Sequence, residues 1–185
     1  MANGKRPRLA SDRANYRRVY DICLSFRLSR DFGAFLQHVV DAAIDFTEAD
    51  MGNVQLLDER TGSLEIAASR GFAAPFLEFF KSVSFDSNSA CGAALTTRQR
   101  VIVENVALSP LFVGTPALDV MLAAEARAVH SMPLIGGCGR FRGVLSTHWR
   151  QPQTETGYDV ALLDFLALEV AEQMEQPQAA LVGVG

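Results

Sequence analysis

Cysteine, histidine and tryptophan are scarce in this chain of 185 residues, which contains three, three and one of them. The three cysteines, Cys23, Cys91 and Cys138, are odd in number and far apart, which argues against a disulfide framework. No Cys-x-x-Cys pair occurs, so we expect no structural metal site. Free, widely spaced thiols are typical of a reducing compartment, and we therefore expect a cytoplasmic protein.

Long apolar runs and a strong net charge are also missing. No stretch of about 18 apolar residues occurs, so no membrane span or membrane partner is expected. The net charge of -4 argues against a broad electrostatic contact with nucleic acid. A local basic run lies within residues 5–18, but no aromatic side chains alternate with it at stacking positions. It therefore indicates a solvated tail rather than a nucleic-acid or membrane arm.

Apolar material is abundant, at 49% of the residues, and it is enough for one globular domain. We expect residues 1–14 to form a disordered basic tail. Residues 15–176 are predicted to form a single domain, and residues 177–185 a flexible tail.

The hydrophobic periodicity alternates between helix and strand spacing along the chain. Helical spacing is followed by a hairpin, short helices, a short strand, another helix, a second hairpin and a last helix. This order predicts an α+β fold in which the terminal helices cover one face of an antiparallel sheet, while short helices and loops cover the other. The helices are predicted at residues 15–29, 31–47, 74–81, 90–97, 117–124 and 157–176. The strands are predicted at residues 51–57, 63–69, 101–103, 127–134 and 142–150. Residues 82–89 are predicted to form a loop.

Several short stretches, in this order and spacing, resemble the GAF domains of bacterial signalling proteins. They are Met-Gly-Asn-Val-Gln-Leu at 51–56, Arg-Gly-Phe at 70–72, Ser-Ala-Cys-Gly-Ala-Ala at 89–94, Val-Ile-Val-Glu-Asn-Val at 101–106, Val-His-Ser-Met-Pro-Leu at 129–134 and Gly-Val-Leu-Ser-Thr-His-Trp at 143–149. The resemblance implies a sheet of five or six strands, a pocket opposite the terminal helices, and homodimerisation through those helices. It leaves the ligand and any cofactor unknown, because a fold does not determine a function.

Polar side chains on one face of three predicted strands are the main candidates for ligand contact. Asn53 and Gln55 alternate with Val54, and an amide can both donate and accept a hydrogen bond. On the two late strands, Ser131 and Ser146 add hydroxyl groups, and His148 adds an imidazole on the same face as Ser146. The alternative for all five is a set of polar groups that are solvated or hydrogen-bonded within the fold. His130 is expected to face the other way, without a catalytic or metal role.

Three further residues are candidates for the pocket wall. Cys91 opens a predicted short helix, whose amino end favours a thiolate and so a ligand-contacting or redox-sensing cysteine. The alternative for Cys91 is a small buried apolar side chain. Phe112 and Met121 supply apolar surface to the pocket.

The resemblance implies a regulatory domain of bacterial signal transduction that senses a small molecule, and we expect no catalytic residue. The remaining residues leave no room for a kinase, cyclase or DNA-binding segment, so a separate signalling protein would carry the output. One alternative is a dimerisation or protein-interaction module with a vestigial pocket. A less favoured alternative is an enzyme like the GAF proteins that reduce free methionine sulfoxide, since the cysteines are far apart and the motif of that reductase is not recognisable.

Overall fold

Apart from one additional two-residue strand, the helices and strands follow one another in the order that the periodicity predicts. The computed structural model describes residues 8–153 and 158–175. The helices are α1 (Arg8–Ser29), α2 (Phe32–Thr47), α3 (Ala74–Phe79), α4 (Ala90–Thr97), α5 (Pro116–Ala123) and α6 (Val160–Glu175). The strands are β1 (Met51–Asp58), β2 (Ser63–Arg70), β3 (Ser82–Val83), β4 (Val101–Val103), β5 (Ala128–Ile135) and β6 (Phe141–Trp149).

The six strands form one antiparallel sheet in the order β3-β2-β1-β6-β5-β4. β1–β2 and β5–β6 are hairpins, as their alternating patterns predict. β1 pairs with β6, and this pairing joins the two hairpins into a single sheet. The expected α+β class is confirmed, with six strands.

One face of the sheet is covered by the terminal helices α1, α2 and α6. The side chain of Asp31 accepts a hydrogen bond from the amide of Ala34 at 2.9 Å and so caps the start of α2, as its position predicts. The apolar stripe of α2 is buried against the sheet, and α6 is buried on several sides because it packs against β5, α1 and α2. The sheet residues in this core include Val54, Met132, Leu134 and Leu145.

The opposite face is covered by α3, α4, α5 and the loops of residues 71–124, which are called the cover below; β3 and β4, in the same segment, belong to the sheet. A second apolar core fills the space between the sheet and the cover. The residues of this core include Met51, Val144, Phe76, Phe112 and Met121. Val54 and Met51 thus lie on opposite faces of one strand, because successive side chains of a strand alternate.

Three boundaries differ from the sequence prediction. α1 begins at Arg8, so residues 8–14 are helical and the prediction that they are disordered is wrong. Arginine, leucine and alanine favour a helix even where no apolar stripe marks it. Residues 82–89 are not all loop, because β3 pairs with β2 at Leu64 and Val83. A strand of two residues is too short to show a period. The predicted tails at residues 1–7 and 177–185 lie outside the described residues.

Within residues 8–153 and 158–175, no helix is both long and apolar enough to cross a membrane.

Candidate functional site

The five polar candidates share the sheet face that lies beneath the cover. Asn53 pairs with Ser146 across β1 and β6, and Ser146 pairs with Ser131 across β6 and β5. Gln55 and His148 follow two residues further along the same strands and face the same way. None of the five is more than 5% exposed. The structure therefore brings together the amides, hydroxyls and imidazole that the alternation predicts on one face.

Most of these polar groups bond to one another or to the cover. The hydroxyl oxygens of Ser131 and Ser146 are 2.8 Å apart. Nε2 of His148 lies 3.3 Å from Oδ1 of Asn53. Nε2 of Gln55 donates to the carbonyl oxygen of Phe80 at 3.0 Å, and this bond ties β1 to the end of α3. Hydrogen bonding within the fold thus accounts for part of the cluster.

Two buried acceptor positions remain open on this face. Nδ1 of His148 and Oε1 of Gln55 have no hydrogen-bond partner among the described residues. Burial lowers the pKa of His148 to about 3, so its imidazole is neutral at physiological pH. Because Oδ1 of Asn53 only accepts, Nε2 of His148 carries the proton and Nδ1 is an acceptor. An acceptor that is buried without a donor costs about 1–3 kcal/mol.

A small cavity lies between two of the five polar candidates, Asn53 and His148, and the cover, whereas Gln55, Ser131 and Ser146 are not among its lining residues. Asn53 and His148 form its floor, while Phe112 and Met121, which the sequence indicates as wall residues, form part of its sides. The space open to the centre of a water molecule is about 20 Å³. That volume suffices for about one water molecule. The cavity is therefore nearly filled by side chains in this conformation.

Aromatic side chains from the cover close the cavity over His148. Phe72 and Phe76 stack with their ring centroids 3.8 Å apart. Both meet the His148 ring edge-on, at 4.9 Å and 5.7 Å. Phe76, Phe80 and Ser89 also line the cavity, although they were not among the predicted site residues. The sequence indicates this aromatic cluster through phenylalanines that recur every four residues, at Phe72, Phe76 and Phe80.

The surroundings of Cys91 favour the alternative of a small buried apolar side chain over a thiolate. Ser89 caps α4 by accepting from the amide of Gly92 at 3.1 Å, as expected for a helix start. However, Cys91 is buried in the core beneath the cover, and this desolvation raises the pKa of its thiol in spite of the hydrogen bonds from Ser89 and the backbone. Cys91 lies beside the cavity residue Ala90 and behaves as a small apolar side chain.

The other two thiols lie elsewhere. Cys23 belongs to the core beneath the terminal helices, where burial chiefly raises its pKa to about 11. Cys138 is exposed in the turn between β5 and β6, and its Sγ lies 2.8 Å from a carboxylate oxygen of Glu175. The three thiols thus occupy three separate parts of the molecule.

His130 points away from the cavity, as alternation predicts. Its Nδ1 contacts the hydroxyl of Tyr158 on the side of the terminal helices. Burial, with a smaller contribution from Arg100, lowers its pKa to about 4. In the part of the chain that the structure describes, no cluster of three or more histidine, cysteine or acidic side chains could hold a metal ion.

An antiparallel six-stranded sheet with terminal helices on one face and a cavity beneath a helical cover on the other defines a class of α+β domains. A family model described as "GAF domain" matches residues 29–175 of the sequence. The chain therefore belongs to the GAF family. No curated protein matches the sequence.

Solved structures agree with this fold. The GAF domain of an Acinetobacter phosphoenolpyruvate-protein phosphotransferase is 19% identical, with a TM-score of 0.68 over 87% of this chain and 92% of that one. A free methionine-R-sulfoxide reductase from Neisseria meningitidis, solved with its substrate, is 18% identical, with a TM-score of 0.69 over 95% of each chain. A domain of a putative two-component sensor histidine kinase from Sinorhizobium meliloti 1021 is 17% identical, with a TM-score of 0.65 over 80% and 93%. At such identities the likeness concerns the fold alone.

Proposed function

We propose that this chain is a regulatory domain of signal transduction, which senses a small molecule between its sheet and its cover and catalyses no reaction. The observation that supports this most directly is the buried acceptor Nδ1 of His148, which has no hydrogen-bond partner among the described residues and belongs to a residue that lines the cavity. A ligand with an N–H or O–H group would satisfy it. The aromatic and aliphatic walls would contact an otherwise apolar molecule.

Ligand entry requires the cover to move, because the cavity holds about one water molecule in the closed form. Gly71 and Gly114 have positive φ angles of 91° and 79°, and they lie just before α3 and α5. They are suitable hinge positions, since glycine adopts such angles without steric cost. A ligand would favour the open or remodelled cover only to the extent that it binds that state more tightly.

The test is a thermal melting screen with pairs of metabolites that differ in one donor group, such as an amine against its methyl isostere. A donor-bearing ligand present at about 100 times its dissociation constant adds about 2.7 kcal/mol, which raises Tm by about 5–10 °C. We expect His148→Leu to remove the shift. The matched control is Thr147→Val, which changes the next buried residue on the opposite face of β6. A response that is flat across all ligand classes would contradict the proposal.

A dimerisation or protein-interaction module with a vestigial pocket is the second candidate. Tyr20, Leu24 and Leu28 recur every four residues on α1 and are 57%, 54% and 78% exposed. We name these three residues the α1 stripe. An apolar stripe of this kind on a terminal helix favours packing against the same helix of a second copy. A homodimer is compatible with sensing, so the two candidates differ in whether any ligand shifts the melting curve.

A methionine sulfoxide reductase activity is less well supported, despite the fold shared with the Neisseria reductase. Thiol-based reduction of a sulfoxide needs a reactive thiolate and a second thiol within reach. Here burial raises the pKa of both Cys91 and Cys23, and Cys138 lies apart from them. Turnover of free methionine sulfoxide with dithiothreitol as reductant would overturn this part of the proposal.

The remaining parts of the proposal concern the setting of the domain. We infer that a separate signalling protein, or the dimer itself, transmits the response. We also infer that the domain lies in the bacterial cytoplasm, since one similar structure is a domain of a putative two-component sensor histidine kinase from Sinorhizobium meliloti 1021.

A further inference from the structure

A second and larger pocket lies at the end of the sheet where α1 and α6 end, away from the cavity beneath the cover. We call it the sheet-end pocket. Its volume is about 240 Å³, compared with about 20 Å³ for the cavity. It is lined by residues at the ends of α1, β1 and α6 and at the starts of α2 and β6. Unlike the cavity, it has enough free volume in this conformation for a small ligand.

The polar wall of the sheet-end pocket presents an unpaired donor from Gln173, which is only 4% exposed. Nε of Arg27 donates to Oε1 of Gln173 at 2.8 Å. A guanidinium group can only donate, so this bond fixes which end of the Gln173 amide is oxygen. The amide nitrogen, Nε2, is buried and has no hydrogen-bond partner among the described residues. A buried N–H group of this kind requires an acceptor.

Arginine side chains add positive charge to the same wall. Arg142 lines the pocket, and its buried Nε also lacks a hydrogen-bond partner within residues 8–153 and 158–175. Arg30, in a left-handed conformation at the end of α1, is a further lining residue. One carboxylate, that of Glu59, lies 3.6 Å from Arg142, but its side chain is 71% exposed. The charge of the lining residues is therefore positive, and every unpaired buried group is a donor.

The rest of the pocket is apolar. The rings of Phe26, Phe32 and Phe141 line it, and Leu56 and Met174 add aliphatic surface. An anion without an apolar body would leave this surface unfilled, whereas a neutral apolar molecule would leave the donors unpaired.

We propose that the sheet-end pocket binds a small organic carboxylate with an aromatic or branched apolar body. The carboxylate accepts hydrogen bonds from the Arg142 guanidinium, which has the fork geometry that matches a carboxylate. It also accepts from Nε2 of Gln173 after a rotation of that side chain, because the atom is buried in this conformation. The apolar body packs among Phe26, Phe32 and Phe141. Because the ligand would contact both α1 and α6, its binding stabilises the packing of these two terminal helices by mass action.

The proposal is tested with phenylacetate and its neutral amide, phenylacetamide, on protein carrying ¹³C-labelled methionine methyl groups. Met174 lines the sheet-end pocket, and Met121 lines the cavity beneath the cover. The Met174 and Met121 signals therefore report the two sites separately. We expect phenylacetate to shift the Met174 signal in a saturable manner and to leave Met121 unchanged. Phenylacetamide should bind at least about 10-fold more weakly, since a good charge-assisted contact contributes about 1.5–3 kcal/mol.

Variants at the polar wall complete the test. Arg142→Gln should weaken phenylacetate binding at least about 10-fold, while Arg140→Gln, the same charge change in the exposed turn, should leave it unchanged. Gln173→Leu should weaken binding as well, with far-UV circular dichroism as the check on folding. Arg142→Gln keeps the test informative if Gln173→Leu unfolds, because Arg142 is not fully buried.

Three results would overturn the proposal: no shift of Met174 at millimolar phenylacetate, equal binding of the neutral amide, or full binding by Arg142→Gln. A shift confined to Met121 is a case of the first result, and it would support ligand sensing in the cavity. The two proposals thus fail independently.

Discussion

His148 and Asn53, 95 residues apart in sequence, are joined by a hydrogen bond of 3.3 Å between Nε2 of the ring and Oδ1 of the amide. The bond crosses the β1–β6 pairing that unites the two hairpins. It also holds the His148 ring so that Nδ1 is directed away from Asn53, and Nδ1 has no partner in the described part of the chain. The same contact therefore stabilises the sheet and orients the imidazole in the cavity.

The first prediction is that Asn53 and His148 are energetically coupled. In a double-mutant cycle of Asn53→Ala and His148→Ala, urea unfolding should give a coupling free energy of about 1 kcal/mol, as for a buried hydrogen bond. A cycle of Asn53→Ala with Thr147→Ala is the control, because Thr147 faces the terminal helices, and it should be additive. Additivity in both cycles would mean that the hydrogen bond contributes nothing measurable to folding.

The second prediction concerns pH. Burial lowers the pKa of His148 to about 3 and that of His130 to about 4, whereas an unfolded histidine titrates near 6.5. Between these values the unfolded state binds more protons, so the free energy of unfolding falls as the pH drops from about 7 to about 4. Each histidine contributes up to about 1.4 kcal/mol per pH unit.

Variants separate this effect from the titration of carboxylates. In urea unfolding at several pH values, His148→Gln should flatten the slope of stability against pH. His38→Gln, at an exposed position on α2, is the matched control. If His148→Gln and the parent chain lost stability in parallel on acidification, the imidazole would not be the neutral, buried group described above.

The third prediction concerns thiol reactivity. Cys138 is exposed, while Cys91 and Cys23 are buried and burial raises their pKa. In native protein, Ellman's reagent should titrate one thiol rapidly and the other two only after unfolding. Cys138→Ser should remove the fast phase, and Cys91→Ser should leave it intact. A fast phase that survives Cys138→Ser would show that a buried thiol is reactive, which would favour the reductase alternative.

The fourth prediction tests the α1 stripe. Leu24→Glu places a charge on a side chain that is 54% exposed, so we expect the free energy of unfolding of the monomer to change by less than about 0.5 kcal/mol. Sedimentation should show the variant as a monomer at micromolar concentration and the parent as a dimer. Ser25→Glu, at the next exposed position, is the matched control and should remain dimeric. A monomeric parent would remove the dimer proposal.

The fifth prediction concerns the hinge before the cover. A Cβ atom at Gly71 would lie 2.6 Å from Cγ of Met51, at a φ of +91°. Gly71→Ala should therefore destabilise the fold by about 1–3 kcal/mol, as measured by urea unfolding. At Gly62 a Cβ atom would meet nothing within 4 Å, and φ is +72°. Gly62→Ala should consequently cost about 1 kcal/mol or less, and equal costs at both positions would contradict the steric explanation.

The face of each strand residue could be predicted from the sequence because it depends on local alternation. Val54 lies under the terminal helices, while Asn53 and Gln55 lie under the cover, as the period of two requires. The start of α2 could also be predicted, since Asp31 is a helix-capping residue that acts within three residues of its own position. The helical start at Arg8 and the two-residue strand β3 could not, because neither has an apolar period.

The chemistry of the candidate site depended on contacts that no local pattern contains. The helix start at Cys91 predicts a lowered pKa, but burial under the cover outweighs it and raises the pKa. The closed state of the cavity follows from the packing of Phe72 and Phe76 on His148, which lies more than 70 residues further along the chain. Gln173 could not be predicted as a site residue from the sequence, because glutamine is common on helices. It becomes a candidate only because neighbouring elements bury its side chain.

The sequence alone determined the class of the fold, the face on which each candidate residue lies and the relation to GAF domains, since periodicity and short stretches of sequence express these locally. The tertiary structure decided which polar groups are paired, how much space remains beneath the cover, and that a positively charged pocket forms at the end of the sheet. The physical reason is that burial and pairing are properties of surfaces brought together by folding. Arg142 and Gln173, for example, line one pocket only because α6 packs across the sheet.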